Sequence, residues 1–221
     1  GGLGTTNGTS ISGGGGSGGS IFITAATLAG TPAAALAARG GDGRDGSSAD
    51  GGGGGGGRIA VVYAALGAPA PSISASLFDV ASGIAGTSPP GAVNGAKGTA
   101  YVNDTTSDSV TVYHGFTYAN VTYRAASWTF DSSATNQYCD TSLNSAATPS
   151  LTVTSLLTFT GTLNCATAIS SFTLGSPAGV VIDTSSFMSV NGAVVIRPLG
   201  GSVVMNASSR VSSTSSSVTI D

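Results

Sequence analysis

The sequence predicts an all-β chain. Within that class it predicts a β-solenoid of the parallel β-helix kind, with a glycine-rich layer at its N-terminal end. Three observations carry the prediction. All ten acidic residues are Asp, there is no Glu, and Lys and Gln occur once each, as Lys97 and Gln137. Glu, Lys and Gln are the residues that normally fill exposed helix faces. Ser, Thr, Val, Ile and Gly are abundant instead, and short strand-like stretches follow one another from residue 99 onward. Finally, "AGVVID" (178–183), "GAVVIR" (192–197) and "GSVVMN" (201–206) share one pattern of small, small, Val, Val, apolar, polar, echoed by "IAVVY" (59–63). Repeated strands without intervening helices mean either stacked coils or an antiparallel sandwich. A sandwich needs hairpin turns every 8–12 residues or so. Stacked coils need about three strands per twenty-odd residues with small corner residues, and the chain matches that better.

The elements follow in order. Residues 1–57 are dominated by glycine. "GGGGSGG" (13–19) feeds "SIFITAATLAG", and "GGGGGGG" (51–57) feeds "RIAVVYAALG". Both obey one grammar: a glycine run, one polar residue, then a strand. Ile21 and Ile23 alternate with Phe22 and Thr24, as in a strand with one buried face. "TPAAALAARGG" reads as a further strand and turn rather than a helix, because Pro32 and Gly40–Gly41 bracket it closely. Residues 67–98 are turn-rich. From 99 to 221 the strands come regularly. The expected organisation is therefore a glycine-rich β region (1–66), a turn-rich connection (67–98) and a Ser/Thr-rich region of coils (99–221), or one continuous domain.

Glycine runs lose more conformational entropy on ordering than any other sequence. They either stay loose as linkers or are held by hydrogen bonds. Extended threefold helices of the polyproline II kind, packed side by side as in polyglycine II, would satisfy their N–H groups laterally. Both runs enter strands directly rather than separating domains, which favours the ordered reading.

Composition narrows location and partners. Charged residues make up 8% of the 221, and the net charge is −3. No basic stripe favours nucleic acid. No apolar run approaches the roughly 18–20 residues of a membrane span. A typical soluble surface is about 25–35% charged, so attached glycans would supply the missing hydration. Sequons occur at Asn7, Asn103, Asn120 and Asn206. Cys139 and Cys165 make an even count and read as one disulfide. Together these point to a secreted or cell-surface glycoprotein. The chain starts at Gly1 without Met and stops in "SSSVTID", so it reads as a processed product or an excerpt with an unfinished last strand.

"GGGGSGGSIFITAATLAG", "GGGGGGGRIAVVY" and "GAKGTAYVND" together resemble a pattern of large glycine-rich surface proteins of bacteria and protists. The resemblance covers roughly residues 10–112 and implies a parallel β-helix with an adhesin-like or cell-surface role. Lys97 stands where that pattern usually has glycine. It brings no catalytic residues to transfer.

Chemistry is sparse. "GGDGRDGSSAD" carries Asp42, Asp45 and Asp50, and its first part fits most of a calcium nonapeptide through Gly40, Gly41, Gly43 and Asp45, but Ser47 replaces its large apolar residue and tandem copies are missing. Calcium is thus the lesser reading, and no other cofactor is expected. His114 is the sole histidine, and Asp79 and Asp131 are isolated in sequence, so neither a nucleophilic triad nor a carboxylate pair can be assigned. The expectation is a non-enzyme. "LTVTSLLTFTGTL" places Thr152 and Thr154, then Thr158, Thr160 and Thr162, on alternate positions, which a plain solvent face explains better than a sugar- or ice-binding face. Tyr113, Phe116, Tyr118, Tyr123, Trp128 and Phe130 form either a sugar-stacking platform or a core cap. The preferred role is a subunit or segment of an extracellular filament or coat, whose partners are head-to-tail copies of itself and surface polysaccharide. A monomeric carbohydrate- or ice-binding adhesin is the alternative, and a polysaccharide-cleaving β-helix enzyme comes third.

Overall fold

The computed structural model describes residues 1–7, 11–31, 35–87, 91–131 and 136–221. These residues are all-β with parallel sheets, plus a short 3-10 turn at Ala75–Leu77. The chain forms two compact units, Gly1–Val102 and Asn103–Asp221.

The first unit opens with a small antiparallel pair, β1 (Thr6–Asn7) and β2 (Ile11–Ser12). β3 (Ser20–Leu28), β4 (Leu36–Ala37), β5 (Arg58–Leu66), β6 (Phe78–Asp79) and β7 (Thr99–Asp104) follow. β3 and β5 pair in parallel, with Ile21 beside Ile59 and Ile23 beside Val61. β7 lies on the other side of β5, and β4 pairs in parallel with β6. In β5, Ile59, Val61 and Tyr63 are buried and the residues between them are not, the period of two that a strand imposes. Phe22 on the edge strand β3 points outward and is 70% exposed.

Each long strand continues a glycine-rich segment: 13–19 runs into β3, 51–57 into β5, and 92–98 into β7. Backbone hydrogen bonds hold these segments side by side. Gly15 and Gly18 donate to Gly52 and Gly55 at 2.9 and 2.8 Å, and Gly53 and Gly56 donate to Val93 and Ala96 at 3.0 and 2.8 Å. A second layer runs the opposite way. Gly51, Gly54 and Gly57 donate to Arg44, Gly41 and Ala38 at 2.9, 2.9 and 2.6 Å. Gly83 and Gly86 donate in turn to Gly54 and Gly51 at 2.8 and 3.0 Å. Donors towards one neighbour recur every third residue, whereas a strand repeats every second. Residues 80–87 and 92–98, read from sequence as part of a turn-rich connection, supply two of these bonded segments.

This arrangement explains the glycine. Sheets separated by side chains stand about 10 Å apart. Layers bonded backbone to backbone leave no room for a Cβ. A Cβ on Gly54 would stand 2.6 Å from the carbonyl carbon of Gly16 and 2.9 Å from the oxygen of Gly15. On Gly55, one residue on, it would meet nothing nearer than the Ala96 oxygen at 3.8 Å.

The second unit carries β8 (Ser109–His114), β9 (Phe116–Tyr118), β10 (Thr122–Ala125), β11 (Ser127–Phe130), β12 (Asn136–Cys139), β13 (Ser150–Val153), β14 (Leu157–Phe159) and β15 (Thr162–Cys165). It continues with β16 (Ser171–Gly175), β17 (Gly179–Ile182), β18 (Phe187–Val190), β19 (Ala193–Arg197), β20 (Ser202–Met205), β21 (Arg210–Ser213) and β22 (Val218–Ile220). From β13 on, the chain visits three parallel sheets in rotation. One sheet runs β10-β13-β16-β19-β22, the second β14-β17-β20, and the third β9-β12-β15-β18-β21. Thr122 lies beside Ser150, Ser150 beside Thr173, Thr173 beside Val195 and Val195 beside Thr219, so each circuit takes about two dozen residues.

Inward positions stack on inward positions. Leu151, Leu174 and Ile196 form one buried row, and Leu157 and Val180 belong to another. The turns repeat as well. Ser185 and Ser208 both take left-handed backbone, φ 58° and 60°, at equivalent corners, and the Ser185 N–H donates to Ala207 of the corner above at 3.1 Å.

Candidate functional site

The aspartates act on backbone. The Asp104 carboxylate accepts the Thr106 N–H at 2.9 Å and Asp140 accepts the Ser142 N–H at 2.8 Å, both two residues on. Asp is short enough to close such a turn on itself and Glu is not, which is a structural reason for an all-Asp acidic complement. Hydrogen bonding from the Ser107 side chain and the Thr106 N–H holds the Asp104 carboxyl below its ordinary value. The Thr184 N–H and the Asn206 amide do the same for Asp183.

The three residues of the calcium-like stretch are engaged in the same way. Asp42 accepts the Ile84 N–H at 2.8 Å, Asp45 the Thr87 N–H at 2.6 Å, and Asp50 the Gly46 N–H at 2.9 Å. Asp42 and Asp45 thereby clip the segment 38–46 to the segment 80–87. Among the described residues no three His, Cys, Asp or Glu side chains gather as metal ligands would. Asp79 pairs with Arg39 at 3.6 Å on the surface.

The sequons differ in their surroundings. Asn7 begins a triplet whose other residues lie outside the described residues. Asn103 lies within β7 with its side-chain oxygen buried. Asn206 donates its amide to Asp183 of the neighbouring circuit at 3.0 Å. Asn120 sits in an exposed bend and uses its oxygen to accept the Thr148 N–H at 2.8 Å.

Cys139 and Cys165 are joined in a disulfide, with Cα atoms 4.8 Å apart. They end β12 and β15, adjacent strands of one sheet, so the bond staples one circuit to the next inside the core. Such bonds persist in oxidising compartments. No helix among the described residues is long and apolar enough to cross a membrane.

The aromatic group lies mostly inside. Tyr113, Phe116, Tyr118, Trp128 and Phe130 are buried. Phe116, Tyr118, Tyr123 and Trp128 meet edge to face at centroid distances of 4.9–5.8 Å. Gln137, the sole glutamine, is fully buried in this region, a position the sequence reading missed. Its oxygen accepts the Tyr118 hydroxyl at 2.7 Å and its amide donates to the Thr160 carbonyl at 2.8 Å. Burial, reinforced by Tyr123, pushes the Tyr118 hydroxyl pKa well above its ordinary value. Only register reveals the role of Gln137: it stacks between Phe116 and Leu163.

The threonines that alternate in sequence do not share a face. Thr152 lies on β13 beside Gly175, Thr158 on β14 beside Val181, and Thr162 on β15 beside Phe187. The circuit turns twice within that stretch and distributes them over three sheets.

At the edge formed by β20 and β22 the inward rows are uncovered. Met205, Val218 and Ile220 are 50%, 44% and 60% exposed, whereas Ile182, Val194 and Ile196 one circuit below are buried. No protein-family model matches the chain, and no curated protein or solved structure does.

Proposed function

We propose that the rotating three-sheet circuit is a β-solenoid, that the glycine segments form a polyglycine-II layer, and that the chain is a non-enzymatic structural glycoprotein of an extracellular filament or cell-surface coat. The reading keeps company with the glycine-rich parallel β-helix surface proteins that the sequence resembles. The single observation that carries it is the stack of parallel circuits in register. Each circuit buries its inward row against the next, so a circuit with the same inward row, in the same polypeptide or in another copy, can extend the stack. Unpaired parallel edges are templates for strand addition. A head-to-tail contact of this kind is heterologous and propagates as a fibre. The covering circuit can come from a second copy or from further along one polypeptide.

Three supports accompany it. The aspartates are occupied by backbone rather than arranged as an acid–base pair. Asn120, which begins a sequon, is exposed. The Cys139–Cys165 bond fits maturation outside a reducing compartment.

Electron microscopy and fibre diffraction of native material test the proposal. The expected result is rods or filaments with an axial spacing of about 4.8 Å, the separation of hydrogen-bonded strands. Ile220→Lys should suppress assembly while leaving the monomer folded, because Ile220 is already exposed. Dispersed particles at every concentration, without that spacing, would sink the filament reading.

A further inference from the structure

The outer face of the sheet β10-β13-β16-β19-β22 carries a groove of about 480 Å³. Two rows of outward residues line it. One row is Thr122, Ser150, Thr173 and Val195 in direct register. The other is Arg124, Thr152, Gly175 and Arg197. The two arginines are exposed and stand three strand spacings apart, about 14 Å. Only Thr152 and Gly175 lie between them in that row. Gly175 deepens the floor: a Cβ there would approach the Thr152 hydroxyl at 3.3 Å. The hydroxyls already exchange hydrogen bonds along the stack, Ser150 donating to Thr122 at 2.9 Å. Asp221 flanks the far end and pairs with Arg197 at 3.4 Å.

We propose that this groove binds an acidic polysaccharide, a sugar chain bearing carboxylate or sulfate groups, laid along the stacking direction. Guanidinium forks recognise carboxylate and sulfate oxygens in a planar, bidentate way. Between the two forks, rows of Ser and Thr hydroxyls match a chain of sugar hydroxyls, each acting as donor and acceptor. The volume lies within the range of pockets that hold small ligands. Nucleic acid is disfavoured, because two cations neutralise few phosphates and the chain carries a net charge of −3. The second unit holds one more arginine, Arg210, and it lies on a different sheet, 6.0 Å over the Phe187 ring. Asp221 is an internal competitor for Arg197. The inference rests on the groove alone and does not depend on how the chain assembles.

The test uses the full chain, produced in a host that adds no N-glycan, so that a sugar on Asn120 cannot occupy the neighbouring groove. Polygalacturonate and dextran-sulfate oligomers are compared with neutral dextran oligomers by thermophoresis at low and physiological salt. The acidic oligomers should bind and the neutral ones should not, and added salt should weaken binding. Arg124→Ala and Arg197→Ala should each weaken it about tenfold, the loss of one charge-assisted contact. Asp221→Asn should tighten it about two- to threefold by freeing Arg197. Arg210→Ala should leave it unchanged. The proposal is overturned if neither acidic oligomer binds at low salt, if neutral dextran binds equally well, or if Arg210→Ala weakens binding as much as the groove variants do. Filaments seen by microscopy with no acidic-oligomer binding would remove this inference and leave the structural reading intact.

Discussion

Gly54→Ala is the sharpest perturbation of the hydrogen-bonded glycine segments, and Gly55→Ala is its internal control. The two positions are neighbours in one run, yet they face opposite environments. The Gly54 Cβ would stand 2.6 Å from the Gly16 carbonyl carbon and closer still to its oxygen, both backbone atoms that cannot rotate away. Three hydrogen bonds meet there: Gly54 to Gly41 at 2.9 Å, Gly83 to Gly54 at 2.8 Å and Gly41 to Gly16 at 2.8 Å. Overpacking costs about 1–3 kcal/mol. Each buried backbone group left without its partner adds about 1–3 kcal/mol. Losing even one of the three brings the expected cost to about 2–6 kcal/mol, a large part of a domain's total stability. Gly55→Ala meets only an ordinary contact with the Ala96 oxygen at 3.8 Å and should be neutral or stabilising by up to about 1 kcal/mol, through the unfolded chain. Urea unfolding by circular dichroism measures the difference. Hydrogen exchange by mass spectrometry locates it, with amides of 51–57 and 80–87 losing protection in Gly54→Ala and keeping it in Gly55→Ala. If the two variants unfold within about 0.5 kcal/mol of each other, the glycine segments are not in backbone contact and the layered account fails.

Other outcomes follow from the second unit. Replacing Cys139 and Cys165 by Ser should cost about 3 kcal/mol, given their separation of 26 residues, read from Trp128 fluorescence in urea. Gln137→Leu should cost about 1–3 kcal/mol by stranding the Tyr118 hydroxyl, and adding Tyr118→Phe should recover part of it; strict additivity in that cycle would mean the two groups do not interact. Tyr118 binds its proton more tightly folded than unfolded, so its contribution is full below the unfolded value near pH 10.0 and declines above it. Alkaline titration at the tyrosinate absorbance should show one tyrosine ionising only as the fold is lost. Native material should carry its N-glycan at Asn120 and leave Asn206 bare, because Asn206 spends its amide on Asp183; peptide mass spectrometry that finds the reverse would refute the assignment.

What was legible in the sequence was local. The absence of Glu, with one Lys and one Gln, already excluded exposed helices. The grammar of a glycine run followed by one polar residue marked "RIAVVY" as a strand, and a strand turns its side chains every second residue, which here buries Ile59, Val61 and Tyr63. The glycine runs left two readings open, a loose linker or an array held by backbone hydrogen bonds. What the sequence left open were relations between circuits. Circuit length varies with the turns, so which residue lies beside which across a sheet is decided by tertiary packing. That register scattered Thr152, Thr158 and Thr162 over three sheets, although they alternate in one stretch. It also buried Gln137 between Phe116 and Leu163 and brought Arg124 into line with Arg197, which are far apart in the chain. A strand's pleat settles which way a side chain points; only the stack of circuits settles what it meets.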